Sequence, residues 1–313
     1  MSRCLHDPVN GYYARNIQAI GARGDFTTTP QCSQIPAKAI AAWASAAMRR
    51  HSTCNLIEIG PGTGALSESV LRKLPFFQRI KTRLHLVDSS PVLAAKQTLL
   101  LKNKAVYHRT IHAALAACDG NAVIFSNELV DAFPVRIFQK HGDAWQELAL
   151  DFSQGHPAEI LLPCDPLPRS SIFSINFPSG QRIEVHDSYR TWLESWLPIW
   201  KRGEMLTIDY GETSQRIYHR RPNGSIRAYL LHQRIEGCGV YENPALQDLT
   251  ADVNFTDLIL WSDPWLETLR YENFADFLQP FSPSSENPFM NAASYFQTLC
   301  QSPRNPNPRA PEV

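Results

Sequence analysis

The segment Leu56-Ile57-Glu58-Ile59-Gly60-Pro61-Gly62-Thr63-Gly64 constrains this chain more than any other. A short apolar run ends in a loop with glycine at alternate positions, after which Leu66, Val70, Leu71 and Leu74 recur at helical spacing up to Pro75. Glycines between a strand and a helix remove Cβ atoms where the backbone must turn tightly and approach a ligand, and the helix start offers N–H groups to it. The next apolar run, Leu84 to Val87, ends in Asp88, and Ser89-Ser90-Pro91 then opens a second helix with a hydroxyl cap and a first-turn proline. Val92, Leu93, Leu99 and Leu100 supply its apolar stripe. Ala122 to Phe125 is a further strand that delivers Asn127 and Glu128 at its end, and Met205 to Asp209 is another. Apolar strands alternating with helices predict an α/β, Rossmann-like fold with a parallel sheet covered on both faces.

The expected division is an arm and helix over residues 1–52, a Rossmann-like domain over 53–300, and a disordered tail over 301–313. Insertions are expected near 135–185 and 212–260, the first opening with a hairpin around His141-Gly142-Asp143. The first 30 residues, rich in turn formers and aromatics, read as a loop laid over the core, and a helix is predicted from about Pro36 to Arg50. Seven cysteines without a C-x-x-C spacing predict reduced thiols, not a disulfide framework or zinc knuckle. Thirty basic residues balance thirty acidic ones, so bulk charge gives no reason to expect a nucleic-acid partner. The apolar stretch Ala37–Met48 contains Lys38 and is too short to span a bilayer, so no membrane insertion is expected. No secretory or transit segment is visible, which predicts a cytoplasmic protein, or a matrix protein if the host is eukaryotic.

Two ligands suit the loop. Residues 60–65 match the dinucleotide pattern G-x-G-x-x-A, and Asp88 stands where an acid can accept both ribose hydroxyls. Glu58 argues against a pyrophosphate, which it would repel, and for the ammonium of a methionine moiety. S-adenosylmethionine (SAM) carries no phosphate, so a loop without lysine suits it. A purely structural glycine turn is the third reading.

The wider motif set resembles the MidA-type SAM-dependent methyltransferases. The likeness rests on Gly11-Tyr12-Tyr13 with Gly24-Asp25-Phe26-Thr27-Thr28, and on the glycine loop with Val87-Asp88-Ser89-Ser90-Pro91. It also rests on Ser126-Asn127-Glu128-Leu129-Val130-Asp131-Ala132-Phe133-Pro134, Ile208-Asp209-Tyr210-Gly211, and Asp248-Leu249-Thr250-Ala251-Asp252-Val253-Asn254-Phe255. The resemblance implies SAM as cofactor and a protein arginine as acceptor, with a respiratory complex I type subunit as the partner. Gln31 stands where the family has an acid, and the ending over 265–313 is divergent. These departures support a second reading, a member that binds SAM and serves in assembly without full turnover.

Carboxylates near the transferred methyl can orient a guanidinium and assist proton loss, which assigns Glu128 and Asp131 to the acceptor and Asn127 to the adenosine end of the cofactor. A structural role for Asp131, capping a short helix or pairing with Arg136, is the competing reading. Glu58, Gly60, Pro61, Gly62, Gly64, Asp88 and Ser89 form the expected cofactor site, with Asp25 and Thr28 beside Phe26 in a flap over it. Asp209 and Tyr210 end a sheet strand and read as structural or as lining the acceptor channel. No metal site is expected, since His108 and His112 lack the glutamate of H-E-x-x-H, and no G-x-S-x-G elbow is present. Trp192, Trp196 and Trp200 read as packing residues.

Overall fold

The computed structural model describes residues 1–7, 9–15, 33–231, 233–282 and 288–304. The central sheet contains β1 (Asn55–Ile59), β2 (Arg83–Val87), β3 (Ala105–His108) and β4 (Val123–Asn127). An antiparallel unit of β5 (Arg136–His141), β6 (Ala144–Asp151), β7 (Ala158–Pro163) and β8 (Arg182–Val185) follows in the chain. β9 (Met205–Glu212) returns to the central sheet. A small three-stranded sheet then forms from β10 (Arg227–Leu230), β11 (Gln233–Ile235) and β12 (Asp248–Thr250). β13 (Val253–Asn254), β14 (Leu266–Asn273) and β15 (Phe296–Pro303) complete the central sheet.

Its order is β14-β15-β9-β4-β1-β2-β3, with β13 alongside the end of β9. Strands β1, β2, β3, β4 and β9 are parallel, and β15 runs antiparallel between β14 and β9. Every second side chain points to one face. Leu56, Leu84, Leu86, Val123, Phe125, Leu206 and Ile208 pack with the helices Ile35–Arg50 and Ala65–Lys73. Ile57, Ile59, Val87, Ile124 and Met205 pack on the other face with the helices Ile111–Ala117 and Asp187–Trp196. Trp196 and Trp200 are buried in that second core, and Trp192 packs against it. The six cysteines within the described residues are free thiols.

Three expectations are corrected. The opening residues form two short helices, Ser2–His6 and Tyr12–Arg15, and bury Leu5 and Tyr12 against Leu93, Ala228 and Leu249. Helices of four and five residues leave no periodicity to read, and their contacts are remote in sequence. In the helix Pro91–Leu101 the buried face is Leu93, Gln97 and Leu101, while Val92, Leu99 and Leu100 face outward. The stripe follows the four-residue spacing and includes a polar residue that an apolar count passes over. The tail begins later than residue 301, because Gln301, Ser302 and Pro303 pair with β14. Gln301 Nε2 donates to Ser262 Oγ at 2.6 Å, and Ser302 Oγ donates to the Gly203 carbonyl at 3.0 Å.

Candidate active site

Parallel strands bring their carboxyl ends to one edge, where ligands bind in open α/β sheets. The glycine loop leaves β1 there. Glu58 shares its face with Leu56 and is therefore buried under the loop, where Ser67 Oγ donates to its carboxylate. Burial pushes the Glu58 carboxyl up to about 7 against the pull of that hydrogen bond. Gly60 (φ +67°), Gly62 (φ +54°) and Gly64 (φ +84°) all lie in the left-handed region. The Gly60 N–H donates to the Val87 carbonyl at 3.0 Å and the Gly64 N–H to the Pro61 carbonyl at 2.8 Å, so the loop is a fixed object.

Asp88 ends β2 beside it. Its Oδ1 accepts from the Ser90 N–H at 2.8 Å and its Oδ2 from Gln97 Nε2 at 3.0 Å, which leaves lone pairs on both oxygens. Burial raises its carboxyl to about 6. Gln97 Nε2 also donates to the Gly62 carbonyl at 2.8 Å, tying loop to acid. Sequence reading missed Gln97; its signal was the four-residue spacing from Leu93 to Leu101. Ser89 is exposed next to Asp88, and Ser90 Oγ caps the helix and donates to the Tyr13 carbonyl at 3.0 Å.

The acidic segment stands against the loop. A Cβ added at Gly60 would lie 2.7 Å from Leu129 Cδ1. Glu128 is half-buried with φ +54°, and its Oε1 accepts from Asn127 Nδ2 at 3.1 Å. That unusual backbone is held from behind by Asp209. Its Oδ2 accepts from the N–H groups of Leu129 (3.1 Å), Val130 (2.8 Å) and Asp131 (3.4 Å), and its Oδ1 from the Tyr210 N–H at 3.0 Å. Asp131 is buried; Thr250 Oγ1 donates to its Oδ2 at 2.7 Å, while its Oδ1 has no hydrogen bond among the described residues. Burial raises the carboxyls of both Asp131 and Asp209, and the charge of Asp131 raises Asp209 further. Arg136 pairs with Glu147 at 2.7 Å, and not with Asp131. Thr250 was visible only as a motif member, and Asp209 as a strand-end residue of open role; their contacts lie 119 and 78 to 80 residues away along the chain. Asp25, Phe26, Thr28 and Gln31 lie outside the described residues.

The donor set suits a ribonucleoside carrying a cationic amino-acid end. A carboxylate underlies the loop, an acid with free lone pairs closes the next strand, and no lysine or arginine in residues 58–67 is there to meet a phosphate. SAM has this chemistry. Sheet and loop together define a Rossmann-like, class I SAM-dependent methyltransferase fold.

Comparison with known proteins agrees. Residues 37–268 match the Methyltransf_28 family, described as "Putative S-adenosyl-L-methionine-dependent methyltransferase", and the chain belongs to that family. It is 28% identical over 291 residues to "Protein arginine methyltransferase NDUFAF7, mitochondrial" of Danio rerio, covering 82% of this chain and 66% of the relative. It is 29% identical over 294 residues to the homologue of that protein in Caenorhabditis elegans, covering 82% of this chain and 65% of the relative. The chain thus spans just under two thirds of these relatives. Among solved structures, a COG1565 superfamily member from Burkholderia thailandensis bound to S-adenosyl-homocysteine superposes with a TM-score of 0.78. That match covers 97% of this chain and 86% of the other at 23% identity, a likeness of fold. Among the described residues no group of three or more His, Cys, Asp and Glu side chains could hold a metal ion. Nor is any helix among them long and apolar enough to cross a membrane.

Proposed function

We propose that this chain transfers a methyl group from SAM to an arginine side chain of a partner protein. The observation that carries the reading is the close approach of Leu129, which lies between Glu128 and Asp131, to Gly60 of the glycine loop; it supports a place for that acidic turn beside the cofactor. When bound, SAM supplies an electrophilic methyl group on a sulfonium. In this reading Glu58 and the loop hold the amino-acid end, Asp88 holds the sugar, and Asn127 and Ser89 border the nucleoside. Glu128, left-handed and half-buried, presents its carboxylate to the acceptor guanidinium and holds the delocalised charge away from the attacking nitrogen. Asp131, in its ionised form, takes the proton that nitrogen releases. Asp209 acts through the turn as a positioning residue.

The names of the zebrafish and nematode relatives support arginine as the acceptor and a mitochondrial setting. The matrix is the compartment if the host is eukaryotic, the cytoplasm otherwise. The resemblance to the MidA-type methyltransferases, which implies a respiratory complex I type partner, makes such a subunit the first acceptor to try. Incubation with methyl-labelled SAM and a host lysate should label a protein on arginine. Glu128→Gln should lower transfer by about a hundredfold or more while S-adenosylhomocysteine still binds. Unchanged turnover removes Glu128 from the reaction, and cofactor binding without any labelled protein favours the assembly reading.

A further inference from the structure

The edge of the sheet opposite the candidate site has a chemistry of its own. In a chain with no net charge, residues 69–118 hold nine Lys or Arg and a single acid; that acid, Asp88, lies at the carboxyl edge together with Arg109, and Glu68 and Asp119 flank the stretch. Within that stretch the helix Phe76–Lys81 is inverted. Its inward residue is Gln78, which accepts from Ser45 Oγ at 2.5 Å and donates to the Ser45 carbonyl at 3.0 Å. Phe76, Phe77 and Ile80 point outward, 60%, 80% and 66% exposed, and the helix buries no residue. The two rings meet edge to face at 5.5 Å, and the Arg79 guanidinium lies 5.6 Å from the Phe76 ring centre.

Exposed cations frame this apolar arc. Lys81 and Arg83 lead into β2, and Lys102 and Lys104 lead into β3; Leu84 and Ala105 are register partners, so both pairs border the same amino-terminal edge. The helix Pro91–Leu101 ends there with Leu99 and Leu100 outward.

We propose that this face docks on the surface of an anionic lipid bilayer, with Phe76, Phe77 and Ile80 entering the headgroup boundary and the lysines and arginines around them meeting lipid phosphates. Aromatic and aliphatic side chains on one arc with cations at its flanks is the arrangement that interfacial helices use. Base stacking would use the rings but leave Ile80 and Leu99 uncovered, which favours lipid over nucleic acid. The chain lies on the membrane and does not span it, and the carboxyl edge with its carboxylates faces away, open to a protein acceptor. The inference does not depend on the acceptor being arginine.

The test is sedimentation of the full chain with vesicles of phosphatidylcholine containing about a third phosphatidylglycerol, against phosphatidylcholine alone, with light scattering of the free protein alongside. The chain should pellet only with the anionic vesicles. Phe76→Ser with Phe77→Ser, and separately Lys81→Glu with Arg83→Glu, should each reduce the bound fraction about tenfold with melting curves unchanged. Absence of pelleting overturns the proposal, as does pelleting that the serine pair leaves intact. A dimer of the free chain that the serine pair dissolves also overturns it and assigns the face to a second copy.

Discussion

At the scale of single residues, the carboxylate at Glu58 sets a pH signature. Burial raises its carboxyl to about 7, so near neutrality the free protein holds it partly protonated. A cationic amino-acid end binds the ionised form, and a raised folded-state value means that form predominates only above about pH 7. Affinity for S-adenosylhomocysteine, measured by calorimetry, should therefore tighten several-fold between about pH 6 and 8. Glu58→Gln should bind more weakly and lose that slope. For stability the sign is opposite: the folded state binds this proton more tightly than the unfolded chain does, so ionising Glu58 costs stability as pH rises through its folded value. The place of Glu58 at the loop was legible because an acid two positions before the first glycine is a local pattern. Gln97 and Thr250 were not legible as supports, and Asp209 was legible as structural but not as the group that holds the acidic turn. Each acts through a contact that only the folded sheet creates.

At the scale of elements, the join of β9 and β13 governs the acidic turn. Gly211 has φ +157°, and a Cβ there would lie 2.0 Å from the Val253 carbonyl oxygen, so β13 can run beside β9 only against a glycine. Thr250, three residues before Val253, is the donor that holds Asp131. Gly211→Ala should therefore displace the Asp248–Phe255 block, lower melting temperature by several degrees and reduce methyl transfer more than cofactor affinity. Activity at the wild-type level would separate this block from the site. Strands β1, β2, β4 and β9 of the central sheet were readable from their own apolar runs, and the hairpin around Gly142 from its turn residues. The short opening helices and the buried end of β15 were not, because what orders them is packing against distant partners.

At the scale of the whole molecule, the helix Ile35–Arg50 is fastened to the sheet by a buried carboxylate. Arg50 grips Glu204 with two bonds of 2.8 and 2.9 Å, and His51 adds a third at 3.2 Å. Burial would raise the Glu204 carboxyl, yet the hydrogen bonds and charge of Arg50 and His51 hold it below its ordinary value. That stabilisation is present above the unfolded-state value and fades as pH falls through the folded one. Arg50 is itself half-exposed, so Arg50→Ala should cost about 1–3 kcal/mol, and the acid limb of the stability curve should move to higher pH. Thermal melts across the acid range would show both effects, and an unshifted limb would contradict the pairing.

Because β15 lies between β14 and β9, the ribosome makes β14 before the strand that joins it to the sheet. Until Phe296–Pro303 has been synthesised, the flank of β9 offers bare backbone to any passing strand. Translation that pauses late in this message would expose its product to aggregation, and a chaperone would have most to do in that interval.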